Sequence, residues 1–319
     1  MARLTFLGTG TSQGVPMIGC GCEVCRSGDN RDKRLRASAF VEYGGLKILV
    51  DAGPDFRYQM LRAGISHLDA ILLTHNHKDH TGGLDDVRAF NYLEGLPAEI
   101  YCEEYVEESL RKEYSYAFSE KKYPGAPEWH IHHIDEKPFT VYPNDGAGDR
   151  LVWISGKGYV HTGNMTAHME DTSAVHDTDG RMEAPDTELT GNGSGREDAI
   201  STGNRSGAVE VIPIRGMHYR LPVLGFRFGN IAYCTDMNYI PEKEFCKLHG
   251  LEHFVINCVK RGHHISHFSL EEAVATAEKV GARHSWLTHL SHQLPRYDEL
   301  CRELPEGILP AYDGLVIEG

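Results

Sequence analysis

Four side chains able to bind a metal fall within six residues, in the run Thr74-His75-Asn76-His77-Lys78-Asp79-His80. Imidazole nitrogen and carboxylate oxygen together suit Zn²⁺, Mn²⁺ or Fe²⁺, and a tight turn aims alternate residues at two adjacent points. A second dense group, Cys20-Gly21-Cys22-Glu23-Val24-Cys25, brings three thiols into six residues. Thiolates at that spacing form a structural metal site once a fourth ligand arrives from elsewhere. A third group, His263, His264 and His267, clusters just ahead of a helix start. Imidazoles titrate near neutrality and so serve proton transfer.

These groups need elements to position them. The apolar run Ile71-Leu72-Leu73 is too short for a core helix and reads as a buried strand that stops where the histidines begin. Gly82-Gly83 then opens a helix at Leu84. Ala37–Tyr43 and Leu46–Val50 read as a hairpin about Gly44-Gly45, and Asp51 at its end either orients a metal-bound histidine or caps the helix after Pro54. Further strands at Val209–Ile214, Ile231–Cys234 and Trp286–Thr288 run into His218, Asp236 and His289. Ser269 and Glu272 form a capping box for a helix whose apolar face is Leu270, Ala273, Val274 and Ala277 and which Gly281 closes. Trp129–Ile134 reads as a strand with histidines on both faces, a spacing that does not gather ligands. Arg31, Lys33, Arg34 and Arg36 form a basic patch, read either as a solvated loop or as an anion-facing surface. Strands that deliver donors at their ends, alternating with helices, define an α/β layer fold.

The chain has 319 residues, 40% of them hydrophobic, enough for one sizeable core. Its formal charge of −14 argues against sequence-independent nucleic-acid binding, which needs a basic surface. No 18-residue apolar stretch and no leader segment occur, so the reading is no membrane span and a cytoplasmic location, where the eight cysteines stay reduced. Between about residues 143 and 208 the composition turns to Gly, Asp, Thr and Ser. That window holds eleven acidic and five basic residues, a net of −6. It cannot bury enough apolar surface to offset its ordering entropy. It reads as a low-complexity surface insertion, flexible in part, with Leu151–Ile154 docking, within a single domain spanning 1–319. The calcium-loop fragment Asp177-Thr178-Asp179-Gly180 lacks the rest of its pattern.

The His75–His80 run resembles the signature of metallo-β-lactamase fold hydrolases. The thiol cluster, Gln13-Gly14-Val15-Pro16, His267-Phe268-Ser269-Leu270-Glu271-Glu272-Ala273 and Thr288-His289-Leu290-Ser291-His292 resemble its PhnP-type phosphodiesterase branch. The resemblance implies a four-layer αβ/βα sandwich with two divalent cations, Mn²⁺ or Zn²⁺, at one edge. It implies His75, His77 and His218 on one ion, Asp79, His80 and His289 on the other, and Asp236 bridging both. Two ions about 3.5–4 Å apart can share a hydroxide and clamp both oxygens of an in-line displacement. Asp79 then belongs to the catalytic group, and His267, with His264 beside it, is the expected proton donor to the leaving oxygen. The substrate expected is a small, cyclic phosphodiester such as phosphoribosyl 1,2-cyclic phosphate, and the oligomer a homodimer. Two alternatives share the resemblance: a tRNA 3′-processing nuclease, and a non-hydrolytic metal-binding protein akin to cofactor-biosynthesis members. For the thiols, His292, three residues past His289, is the expected fourth ligand, completing a closed Cys20, Cys22, Cys25 and His292 site for one structural Zn²⁺.

Overall fold

Ile48 and Val50 point to one side of their strand and Leu49 to the other, and this alternation sets the layers of the molecule. The computed structural model describes residues 1–145, 151–154, 158–161 and 207–319. One seven-stranded sheet runs in the order β16 (Val316–Glu318), β1 (Ala2–Gly8), β2 (Ser38–Tyr43), β3 (Leu46–Val50), β4 (Ala70–Leu72), β5 (Ala98–Cys102), β6 (Trp129–His133). A second runs β15 (Ile308–Pro310), β14 (His284–Thr288), β13 (His253–Asn257), β12 (Ile231–Cys234), β11 (Leu221–Phe228), β10 (Val209–His218), β7 (Phe139–Val141).

Leu4, Phe6, Ile48 and Leu72 of the first sheet meet Leu224, Phe226, Tyr233 and Val255 of the second in one buried core. The opposite face of the first sheet, with Leu49 and Ile71, packs on Phe56 and Met60 of α1 (Phe56–Ala63) and on Val106 and Leu110 of α4 (Glu104–Glu113). The outer face of the second, with Phe254 and Ile256, packs on Leu270, Ala273 and Ala277 of α5 (Leu270–Val280) and on Leu300 of α6 (Tyr297–Glu303). Helix, sheet, sheet, helix is the expected αβ/βα order. Each fully buried Leu or Phe contributes roughly 1.5–3 kcal/mol relative to exposure.

Local signals mostly held. Ser269 Oγ accepts from the Glu272 N–H, Glu272 reciprocates, and Gly281 ends α5 in a left-handed conformation. β10 is longer than its apolar stretch and continues through Arg215-Gly216-Met217 to His218, because its partner β11 pairs with it that far. Leu61 of α1 faces solvent. Among the described residues no helix is long and apolar enough to cross a membrane.

The chain divides into two units, Met1–Asp145 with Gly207–Gly319, and Gly146–Ser206. In the second, β8 (Leu151–Ile154) and β9 (Gly158–His161) pair antiparallel. The expected flexible insertion, including Asp177–Gly180, otherwise lies outside the described residues, as does any docking by the side chains of Leu151–Ile154. Its flanks are informative. β7 and β10 pair antiparallel with Val141 opposite Val209, and Asn144 is anchored through Asp69 and the Pro97 carbonyl. Deleting Gly146–Ser206 and joining Asp145 to Gly207 therefore closes a short hairpin between strands already paired. Shortening that connection lowers its closure entropy by about 2 kcal/mol. The deletion protein is expected to melt cooperatively at an unchanged or higher temperature by calorimetry. Insolubility or a broad melt would show that the segment packs into the fold.

Candidate metal centre

Every donor sits at or beyond the C-terminal end of a strand. β4 ends at Leu72, the chain turns through Thr74, and His75 and His77 emerge on alternate positions before the single turn α2 (Lys78–Thr81) presents Asp79 and His80. From the second sheet, His218 is the last residue of β10, Asp236 follows β12 and His289 follows β14. Asp236 and His289 hold left-handed backbone, φ 56° and 54°, which swings their side chains off the strand direction. Asn257 clamps the Asp236 turn: its Oδ1 accepts from the Met237 N–H at 2.8 Å and its Nδ2 donates to the Met237 carbonyl at 2.9 Å.

The imidazoles are oriented from behind. Asp51 Oδ1 accepts from the Thr74 N–H at 2.9 Å, and Asp51 Oδ2 lies 2.7 Å from His80 Nδ1. Thr74 Oγ1 lies 2.9 Å from His75 Nδ1. Both contacts leave Nε2 turned inward, the usual way a metal-facing imidazole is held. Asp51 thus orients a histidine, and the α1 N-cap falls to Asp55.

The inward groups converge. Ring centroids of His75 and His77 lie 4.6 Å apart, His77 and His218 5.0 Å, His75 and His218 5.6 Å. Donor atoms of Asp79, His80, Asp236 and His289 lie within 4.8 Å of one another, as do those of His218, Asp236 and His267. Asp236 belongs to both groups. His75 Nε2, His80 Nε2, His218 Nδ1 and both nitrogens of His289 are buried with no hydrogen-bond partner among the described residues. The nearest approaches, 3.2 Å from His80 Nε2 and 3.0 Å from His289 Nε2 to Asp236, fall outside hydrogen-bond geometry. One orphaned buried polar atom costs about 1–3 kcal/mol, so the cluster of unpartnered imidazole nitrogens calls for ligands.

Charge points the same way. Burial pulls His80 down, yet Asp236, Asp51 and Asp79 together hold its imidazole well above the ordinary range. Burial likewise opposes charge on His289, but Asp236 and Asp79 raise it to about 9. Burial and the neighbouring imidazoles drive His75 the other way, well below its ordinary value. The carboxylates draw positive charge inward while burial keeps His75 and His218 neutral, a donor set that fits divalent cations.

The three clustered histidines separate by role. His267 is largely buried, its ring stacked on His289 at 4.7 Å, with Nε2 3.1 Å from Asp236 Oδ1 and Nδ1 3.0 Å from Ser266 Oγ. His264 stands behind it, Nδ1 to Nδ1 at 3.3 Å. His263 points into solvent near Glu272. Nothing in the residue types marked Ser266, Asn257 or Thr74 as supports, since their work depends on three-dimensional neighbours.

The thiols gather as well. Sγ of Cys20, Cys22 and Cys25 and a ring nitrogen of His292 lie within 4.8 Å of one another. His292 Nδ1 is 3.4 Å from Cys20 Sγ and 3.5 Å from Cys22 Sγ. The Cys25 backbone N–H and then His292 bring the Cys22 thiol down to about 6, whereas burial pushes Cys25 up to about 11. All eight cysteines are free.

Other candidates found structural work. Gly8, at the end of β1, lies tight against the chain: a Cβ there would be 1.8 Å from the Arg36 carbonyl oxygen. The basic patch is internally matched. Arg34 is buried and donates to Thr9 Oγ1 and the Ala311 carbonyl, while Arg36 pairs with Asp55 and Arg31 with Asp29. On β6, His130 and His132 share a face and both reach Glu99, while His133 on the other face reaches Glu107, away from the metal centre.

The chain belongs to the beta-lactamase superfamily domain family, whose description matches residues 47–174 and 171–290. Its solved relatives include a new diphosphatase from the PhnP family, 33% identical with a TM-score of 0.73, the match covering 100% of this chain and 98% of that one. The chain is therefore a member of the metallo-β-lactamase fold family, similar to its PhnP branch. An octanoyltransferase of Porphyromonas gingivalis is 35% identical over 316 residues, which are 98% of this chain and 51% of that protein. This chain spans about half the length of that relative. Zn²⁺-bound PqqB from Methylobacterium extorquens shares the fold at 16% identity, with a TM-score of 0.64 and coverage of 99% and 100%.

Proposed function

We propose that the chain is a dinuclear, metal-dependent phosphodiesterase acting on a small, cyclic phosphate ester. The observation that carries this reading is the Asp236 carboxylate, common to both donor groups. His75, His77 and His218 would hold one ion, Asp79, His80 and His289 the other, and Asp236 both. Bound divalent cations supply Lewis-acid polarisation of a phosphoryl oxygen and lower the pKa of water to about 7. The protein's own part is orientation and proton delivery. Asp51 and Thr74 fix the imidazole tautomers. Asp236 Oδ1 accepts from His267 Nε2, so the proton sits on the nitrogen that faces the reacting centre, where it can pass to the leaving oxygen. Ser266 and His264 hold that ring from its Nδ1 side. The PhnP-family relative is a diphosphatase, and cleavage of an anhydride or a diester begins with the same attack at phosphorus. A separate structural Zn²⁺ would occupy Cys20, Cys22, Cys25 and His292.

The test is turnover of a panel: ribose cyclic phosphate, a cyclic nucleotide, bis(p-nitrophenyl) phosphate, precursor tRNA and a β-lactam, each with Mn²⁺ and with Zn²⁺. Hydrolysis of the cyclic esters is the expected result; cleavage of tRNA or β-lactam alone would overturn the reading.

His267→Ala is expected to keep its metals but lose about 10²–10⁴-fold in kcat, the usual worth of positioned proton transfer. The deficit should shrink for p-nitrophenolate, a leaving group that needs little protonation. An equal loss for good and poor leaving groups, or loss of metal, would make His267 a phosphate-binding or ligand residue instead.

A further inference from the structure

Among the described residues, four that are not glycine hold left-handed backbone: Asp51, Tyr219, Asp236 and His289. Three belong to the metal centre already described. Tyr219 is the fourth, at φ 58°, and it follows His218 directly. With Arg220 it forms the two-residue turn between β10 and β11, where His218 pairs with Leu221. Such turns favour glycine, asparagine or aspartate at a left-handed position, because a Cβ crowds the backbone there. A tyrosine in this place is a steric liability for the hairpin. Strain of this kind persists where the position has another use.

The surroundings indicate that use. Tyr219 is 50% exposed, with the Arg220 guanidinium carbon 5.2 Å from its ring centroid. The Tyr219 N–H donates to Asn238 Oδ1 at 2.9 Å, and Asn238 Nδ2 donates to the Ile265 carbonyl at 3.1 Å. Ile265, itself exposed, lies between His264 and His267. One asparagine therefore ties the Tyr219 turn to the loop carrying the proton donor. The result is an aromatic surface at a fixed place beside the metal ligands, with a cation against it. A π-face held this way accepts flat rings with little regard to their edges.

We propose that Tyr219 determines specificity by stacking a planar ring, nucleobase or aryl, carried by the phosphate ester. This rests on the phosphodiesterase reading given above. The test compares kcat/KM for a ribonucleoside cyclic phosphate, a phenyl riboside cyclic phosphate and the ring-free ribose cyclic phosphate, which share one scissile ester. Tyr219→Gly should lower the preference for ring-bearing over ring-free ester by about 5- to 150-fold, the worth of one stacked base. Tyr219→Phe should keep the preference. Because glycine relieves the turn, the Tyr219→Gly melting temperature should rise or hold, separating lost stacking from lost structure; Tyr219→Asn serves equally should glycine loosen the hairpin. A loss confined to the nucleoside ester would narrow the platform to bases, whereas a loss for both ring-bearing esters makes it general. An unchanged preference, or an equal loss for all three esters, overturns the assignment. A wild-type protein that hydrolyses none of them overturns it together with the function beneath it.

Discussion

Asp236→Ala is expected to abolish phosphodiester hydrolysis and to lower metal content at both catalytic positions. Asp236 is fully buried, and its carboxyl is held well below the ordinary range. Burial opposes that ionisation, but the neighbouring His289 and His80, with the hydrogen bond from His267, outweigh it. Removing the carboxylate leaves His80, His267 and His289 facing one another, with Asp79 nearby and Asp51 behind His80 to offset them. Both donor groups lose a shared member, so the deficit should exceed the about 10²–10³-fold that removal of one electrostatic donor costs. Asp236→Asn keeps the size and one acceptor but loses the charge, and it separates packing from electrostatics. Metal per chain by elemental analysis, read beside kcat, is the measurement. Full activity with two ions bound would remove Asp236 from its bridging place.

How much of this was legible beforehand depends on the range of the signal. Ile71-Leu72-Leu73 followed by His75 and His77 is local in sequence, and so strand, turn and donors could be read together. The same holds for the capping box at Ser269 and Glu272. The strands and helices alone gave an α/β layer fold, and the four-layer order came from the resemblance; in the structure the alternate residues of Leu46–Val50 do face two different apolar surfaces. The supports were not legible. Asn257 clamps Met237 from 20 residues away, and Ser266 acts only because the loop folds its hydroxyl against His267. Tyr219 carries no sequence signal either, since its left-handed backbone emerges only when β10 and β11 pair through to His218. The basic patch stayed open between two readings because its other carboxylate partners, Asp55 for Arg36 and Asp298 for Arg31, lie far away in the chain. Short-range chemistry can be read from spacing, and long-range pairing cannot.

Cys22→Ser is expected to remove one tightly bound zinc per chain and to lower the melting temperature sharply, while the catalytic ions remain exchangeable with Mn²⁺. Cys22, brought down to about 6, is largely thiolate at neutral pH and already lies 3.5 Å from His292 Nδ1. Three thiolates and one imidazole close a tetrahedron and leave no open position for substrate. Val15, Val24 and the partly buried Met17 lie with the thiols in a small cluster, too little apolar surface to hold the loop alone. Structural zinc can contribute on the order of 10 kcal/mol in apparent binding free energy. Losing about 3 kcal/mol of it would lower Tm by roughly 6–12 °C in a domain of this size. The damage should also reach the reaction. The Leu290 N–H donates to the Thr9 carbonyl at 2.8 Å, and Leu290 separates His289 from the turn that carries His292. A loosened thiol loop therefore loosens a catalytic ligand, and kcat should fall at temperatures well below the melt. Unchanged zinc stoichiometry in Cys22→Ser would end the assignment, and a lost zinc with unchanged Tm would show that the packing around Val15 and Val24 suffices without it.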